Sequence, residues 1–354
     1  MDNCVIPHGY KATALGIIPQ EWEVMLLGNL SNSISSGRNK HRDAHGQYPV
    51  FGSTGIIGYS STYEYEGPVI LVARVGANAG TLNFASGQYD VSDNTLIITI
   101  KQNVYDYNFA YNQLTHYKLN KLVFGSGQPL ITSKQLKNIR IPVPPLAEQR
   151  KIAEVLGVWD KAIEKQARLI EKLALRKRAL MQRLLSAKLR LPGFSEPWKK
   201  VKLGDVAELY QPQTIQSEDL SQTGYPVYGA NGLIGYYNNY NHEYPQVVIT
   251  CRGSSCGTVN FTPGKCWITG NAMVLNVDNN RDVNKSFFYY LISNSSFVNL
   301  ISGSGQPQIV RQPLLKFELR IPPLKEQTAI AEVLTAADRE IDLAKEKLER
   351  LRRQ

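Results

Sequence analysis

The sequence predicts an α+β protein containing an internal repeat. Two similar mixed α/β domains are separated by a long antiparallel two-helix coiled coil, giving a pseudo-twofold chain. Three observations predict this. Long passages return after 177 or 178 residues, short β-branched runs are separated by glycine turns, and each half ends in a heptad-patterned stretch.

The repeat covers nearly the whole chain. "YPVFGSTGIIGY" at residues 48–59 returns as "YPVYGANGLIGY" at 225–236, and "GTLNF" at Gly80 returns as "GTVNF" at Gly257. "GSGQP" at 125–129 returns at 303–307, and "IPVPPLAEQRKIAEVL" returns as "IPPLKEQTAIAEVL". Trp22 with Leu27-Gly28 matches Trp198 with Leu203-Gly204. The expected parts are a first domain at 1–145, a first helix at 146–190, a second domain at 191–322 and a second helix at 323–354.

Within each domain, "GPVILVARV", "TLIITI", "PQVVITC" and "AMVLNV" read as strands. "NFAYNQLTHYKLNKL" and "KSFFYYLISNSSFVNLI" each read as one amphipathic helix. In each long helix the proline pair suits a first turn, and Glu148 or Glu326 lies near the positive end of the dipole. Alternating steps of four and three land on Ile152, Leu156, Trp159, Ile163, Gln166, Ile170, Leu173, Lys177, Leu180 and Leu184. In the second helix they land on Ile330, Leu334, Ala337, Ile341, Ala344, Leu348 and Leu351. Such seams need a partner. Packing of each helix on its own domain and dimerisation are the alternatives to an antiparallel pair.

Hydrophobic content of 43% supplies enough apolar residues for two folded cores, and no run is long enough to span a membrane. The N-terminus lacks the basic-then-apolar layout of a secretory signal, so a cytoplasmic setting is expected. Cys251, Cys256 and Cys266 lack paired C-x2-C spacing, and His41 and His45 sit in a polar loop without a third ligand, so no metal is expected. The net charge of +10 points to an acidic partner. The excess is concentrated in residues 146–190, where Lys and Arg outnumber Asp and Glu by 12 to 5. Lys161, Lys165, Arg168, Lys172, Arg176, Lys177, Arg178 and Arg183 could lie over phosphates; a solvated face or a protein-docking face fits equally.

Two domains ending in the proline–Leu–x–Glu–Gln motif, each followed by a heptad helix, resemble the specificity subunit of type I restriction–modification systems. The resemblance spans essentially the whole chain. It implies that each domain is a target-recognition domain reading one half of a bipartite site in double-stranded DNA. It further implies that the helices form a spacer binding two methyltransferase subunits, and that restriction subunits join the full complex. The specificity subunit of another restriction class, and a structural adaptor binding protein or glycan, are the alternatives. Catalytic residues and cofactors are expected to be absent, since no glycine-rich cofactor loop, Walker loop or carboxylate cluster occurs. S-adenosylmethionine and ATP would belong to the partners.

The repeat sorts the candidate DNA-binding residues. Residues shared by both copies cannot alone make two halves read different sequences, so they suit scaffolding or phosphate contact. Arg74 and Arg252, before a glycine turn, and Ser126, Gln128, Ser304 and Gln306, in the two GSGQP loops, fall in this class. Base reading is expected where the copies diverge: residues 35–47 against 211–224, and 133–134 against 311–312. Arg38, Lys40, Arg42, Lys134, Gln213, Gln216 and Arg311 have the chemistry to read guanine or adenine edges there.

Overall fold

A computed structural model describes residues 6–40, 43, 45–125, 128–229, 232–303 and 305–353. The chain divides into two compact units, Met1–Ala162 and Ile163–Gln354, and the division falls inside the first long helix.

The first unit opens with β1 (Tyr10–Thr13), β2 (Gly16–Pro19), β3 (Glu23–Leu26), the one-turn helix α1 (Leu27–Leu30) and β4 (Ser31–Ser36). Then come β5 (Tyr48–Gly52), β6 (Gly55–Ser60), β7 (Tyr65–Glu66), β8 (Val69–Ala73), β9 (Leu82–Ala85), β10 (Gln88–Val91) and β11 (Thr95–Ile100). Helices α2 (Tyr107–Tyr117) and α3 (Ser133–Lys137) and strand β12 (Arg140–Val143) lead into α4 (Leu146–Leu184). One sheet runs β4-β11-β8-β9, all antiparallel. A second runs β6-β5-β10-β7 with β5 and β10 parallel, and β3 pairs with β12. Strands β8 and β11 are apolar at almost every position because both faces are covered. Ile70, Val72, Leu96 and Ile98 join a core with Phe109, Leu114 and Leu136, while Val69, Leu71 and Ile97 pack with Tyr89 and Val91.

The second unit repeats this plan. Its elements are β13 (Lys199–Lys202), α5 (Leu203–Val206), β14 (Glu208–Tyr210), β15 (Tyr225–Gly229), β16 (Gly232–Tyr237) and β17 (Val247–Thr250). They continue with β18 (Val259–Phe261), β19 (Trp267–Ile268), β20 (Ala272–Asn276), α6 (Lys285–Ser293), α7 (Arg311–Leu315), β21 (Glu318–Ile321) and α8 (Leu324–Arg353). The sheets are β14-β20-β17-β18, β16-β15-β19 with β15 and β19 parallel, and β13-β21. An isolated bridge between His242 and Cys266 stands where β7 stands in the first unit.

The single helix expected after each sheet is broken in both units. Helix α2 stops where Lys118 turns left-handed (φ 58) and donates its N–H to the Thr115 carbonyl, and a 3-10 turn follows at Leu119–Leu122. Helix α6 stops at Asn294, and the Ser295 hydroxyl bonds back to the Leu291 carbonyl. Short polar side chains at such positions compete for the backbone groups that would extend the helix.

In the second unit the C-terminal half of α4 packs antiparallel on α8, with Leu173 against Ile341 and Ala344. The two seam positions that are not apolar make specific bonds across it. Gln166 is buried and donates from Nε2 to the Ala344 carbonyl at 2.9 Å, and Lys177 pairs with Asp338. Polar seam residues of this kind fix register at some cost in stability. Leu180, Leu184, Ile330 and Leu334 join the core of the second unit, whereas Ile152 packs on that of the first. Ile170 packs beside Leu173, Ile163 and Leu348 are half-buried, and Leu156 and Trp159 are exposed.

Candidate nucleic-acid interface

In each unit the GSGQP loop closes on the turn that follows the central strand. Phe124 and Leu130 exchange backbone hydrogen bonds, as do Ser302 and Gln308, so each loop is a ring closed at its neck. Gly125 (φ 99) and Gly303 (φ 91) are left-handed, and a Cβ on either would press on the carbonyl of Gln128 or Gln306, at 2.9 and 2.5 Å. That explains the glycine at that position in both copies. The loop is tied to the turn by Gly76 N–H on the Pro129 carbonyl and Gly253 N–H on the Pro307 carbonyl. Gln128 and Gln306 are exposed and neither side chain makes a hydrogen bond among the described residues. Arg42, Ser126 and Ser304 lie outside the described residues.

The register of these turns corrects one expectation. Arg74 and Arg252 are not counterparts. The Arg74 N–H bonds to the Asn94 carbonyl, and its carbonyl accepts from Ile131; Cys251, not Arg252, makes the corresponding bonds to Asn271 and Ile309. The bridge of Arg252 to Gln308 matches that of Val75 to Leu130. Strand side chains alternate faces, so a one-residue offset sends the two arginines to different surroundings. Arg74 is half-buried where the second unit buries Cys251, and Arg252 is exposed. Neither guanidinium has an ion pair or hydrogen bond among the described residues. Both belong with the residues that differ between the copies. Counting back from "GTLNF" and "GTVNF" reveals the offset in the sequence itself.

The divergent segments lie along matching strands. In the first unit, Arg38 and Asn39 donate backbone N–H groups to the Val91 carbonyl, and the Asp43 N–H reaches the Tyr59 carbonyl on β6. Arg38 and Lys40 are exposed, and Arg38 makes a loose 3.8 Å contact with Glu64. In the second unit, Ser221 pairs with Tyr236 on β16, and the Trp267 indole donates to the Gln213 carbonyl. The side chains of Gln213 and Gln216 are exposed. Lys134, on α3, and Arg311, opening α7, are exposed just beyond the GSGQP loops. On α4, Arg168, Arg176 and Lys177 have acidic partners; Lys161, Lys165, Lys172, Arg178 and Arg183 are exposed without one among the described residues.

In the Glu–Gln motif the local pattern singles out the glutamate, near the positive end of the helix dipole. The glutamine is what joins domain to helix. Buried Gln149 accepts from the Asp106 N–H and donates to the carbonyls of Val104 and Pro144, all at 2.9 Å. Gln327 repeats this with the Asn284 N–H and the carbonyls of Asp282 and Pro322, again at 2.9 Å. The glutamates differ. Glu148 accepts from the Trp22 indole, whereas buried Glu326 binds Arg190 through Nε and Nη2 at 2.6 and 2.8 Å, and the Trp198 indole is left unpaired.

Beside each joint is an open groove, between α2 and α4 in the first unit (about 630 Å³) and between α6 and α8 in the second (about 350 Å³). The pairs Glu154 and Lys161, and Glu332 and Arg339, line equivalent positions one heptad apart. No group of three or more metal-ligating side chains occurs among the described residues. Burial pushes the Cys251 thiol up to about 11, away from a reactive thiolate. No helix among the described residues is long and apolar enough to cross a membrane.

In the second unit a hydrogen-bond network surrounds buried His242. Asn241 is oriented by Ile268, donating to its carbonyl and accepting from its N–H through Oδ1. That Oδ1 lies 2.6 Å from His242 Nδ1, so Nδ1 carries the proton and Nε2 accepts from the Tyr210 hydroxyl at 3.0 Å.

The family described as "Type I restriction modification DNA specificity domain" matches residues 19–174 and 195–353. Among curated relatives, the type I restriction enzyme MjaVIII specificity subunit of Methanocaldococcus jannaschii is 23% identical, over 94% of this chain and 90% of its own length. The putative MjaX specificity subunit of the same organism is 25% identical, over 97% and 93%. The crystal structure of a type I restriction–modification S subunit from M. genitalium superposes with a TM-score of 0.68 at 20% identity, covering 93% of this chain and 92% of that one.

Proposed function

The chain belongs to the family of type I restriction–modification DNA specificity domains, and we propose that it is the sequence-reading subunit of such a complex. Each unit engages one half of a bipartite site in double-stranded DNA. The observation carrying this reading is the double family match laid over a duplicated fold whose outer loops differ. Two copies of one scaffold holding unlike loops suit two unlike half-sites. Arg38, Lys40, Arg74, Lys134, Gln213, Gln216, Arg252 and Arg311 supply unit-specific contacts. Gln128 and Gln306 supply contacts common to both halves. The α4 cations without an acidic partner among the described residues supply further phosphate contacts.

Methyl transfer and cleavage belong to the other subunits of the complex, in a cytoplasmic setting. The paired grooves beside Gln149 and Gln327 offer the same acid-and-base pair twice, which suits two copies of one methyltransferase subunit. Coexpression with the cognate methyltransferase, followed by mapping of methylated adenines across the host genome, tests the reading. A split motif with a fixed gap is expected; a stable complex that leaves no bipartite mark would refute it.

A further inference from the structure

The hairpins β5–β6 and β15–β16 carry an apolar residue at the same place, and nothing in the described chain covers it. Both hairpins pair glycine with glycine at the tip, Gly52 with Gly55 and Gly229 with Gly232, and both shift register one step further in. Gly55 (φ 96) and Gly232 (φ 106) start the returning strands in left-handed conformation. The next two residues are both aliphatic: Ile56-Ile57 and Leu233-Ile234. The second folds back over the opposing glycine, where a Cβ would lie 2.6 Å from Ile57 Cδ1 or 3.0 Å from Ile234 Cγ2. The first stays outside in both copies, Ile56 53% and Leu233 51% exposed, and in the second unit Ile234 beside it is itself 48% exposed. A single exposed aliphatic is unremarked on any surface. The same exposure recurring in two copies is a surface feature the scaffold is built to present.

The returning strands that carry these residues adjoin, toward their ends away from the tips, the segments assigned to base reading. In the first unit the outer strand β6 is bordered by Asp43, through its bond to Tyr59, and by Gly46 against Ser60. In the second, β16 is bordered by 211–224, through the Ser221–Tyr236 pair and the packing of Gly235 against Leu220. No charged residue occurs in 52–60 or 229–237, so each tip is a neutral apolar point on a strand that a polar loop borders. Apolar side chains presented this way wedge between base pairs, unstacking one step and bending the duplex. Shared by both copies, such a wedge reads how easily a step deforms rather than which base it holds.

We propose that Ile56 and Leu233 are paired wedges, each inserting at one base step of its half-site. The inference rests on the DNA-reading function proposed above. The test uses the assembled complex with its methyltransferase subunits, on a duplex carrying its own methylation motif and 2-aminopurine at successive steps. Wild type is expected to raise 2-aminopurine fluorescence at one step in each half. Ile56→Ser should abolish the rise in one half only, and Leu233→Ser in the other. Each should weaken binding roughly 10-fold, about what burying one branched side chain contributes. Ile56→Leu, which keeps the apolar bulk, should retain both. Serine variants that bind and unstack as wild type does overturn the wedge while leaving the DNA-reading function intact. Variants that instead lose methyltransferase subunits on size-exclusion chromatography overturn it too, assigning the tips to protein docking. A wild-type complex with no salt-dependent preference for its motif sinks the underlying reading and the wedge together.

Discussion

Replacing Gln149 by alanine removes one side chain and strands three backbone groups. The Asp106 N–H and the carbonyls of Val104 and Pro144 lose partners at 2.9 Å, and Gln149 itself has no exposed surface. A buried backbone group left without a partner costs about 1–3 kcal/mol, and water entering the vacated space recovers part of that. The expected loss is therefore about 3–5 kcal/mol. For a unit of this size that corresponds to a fall in melting temperature of roughly 10–15 °C. Scanning calorimetry of the full chain is the assay, with Gln327→Ala as the internal comparison. Because the same bonds recur at Asn284, Asp282 and Pro322, the second variant should lower the melting of its own unit by a similar amount. Gln149→Glu keeps the acceptor for the Asp106 N–H but sets a carboxylate against two carbonyls, so it should rescue little. A shift of less than about 2 °C in both alanine variants would refute the assignment of the glutamine as the joint.

Three further perturbations follow from the same geometry. Glu326→Ala leaves the Arg190 guanidinium facing a buried site and should cost about 3–5 kcal/mol, while Arg190→Met with Glu326→Met should cost much less; a double-mutant cycle by urea denaturation measures both. Gln166→Leu buries an apolar group where Gln166 now bonds to Ala344, and should raise the melting temperature while loosening helix register, read by cysteine crosslinking across the seam. His242 gives a pH dependence. Burial holds its imidazole below the ordinary 6.5, with Asp278 opposing, so the folded state prefers the neutral ring. The unfolded chain takes up the proton first, and the stability contributed by His242 is present above 6.5 and lost as pH falls through it towards the lower folded value. Melting of the second unit should decline between pH 7 and 5 more steeply in wild type than in His242→Asn.

The repeat made much of the fold legible, because equal spacing between identical phrases constrains architecture before any strand is assigned. The doubly buried strands β8 and β11 showed as apolar, β-branched-rich runs, and the heptad step landed on the contact of Leu173 with Ile341 and Ala344 but also on exposed Leu156 and Trp159. The helix breaks did not show: Lys118 turns left-handed within a sequence whose apolar pattern simply continues. The two arginines misled because each precedes a glycine turn, and only strand register separates Arg74 from the counterpart of Val75. The joint made by Gln149 and Gln327 is invisible in the motif itself, since two of the three bonds each makes reach backbone groups more than 40 residues away and leave no trace in local composition.

On the domain side, the hydrogen bonds of each glutamine joint go to main-chain atoms near the N-terminus of α2 or α6. A main-chain amide and carbonyl are the same whatever residue carries them. The joint therefore places almost no demand on the amino acids of the domain it holds, provided a helix begins at that point. One helix can accept a succession of differently worded domains, by drift or by wholesale exchange, without its own sequence having to change. In such a chain, mechanical fit and meaning are inherited separately.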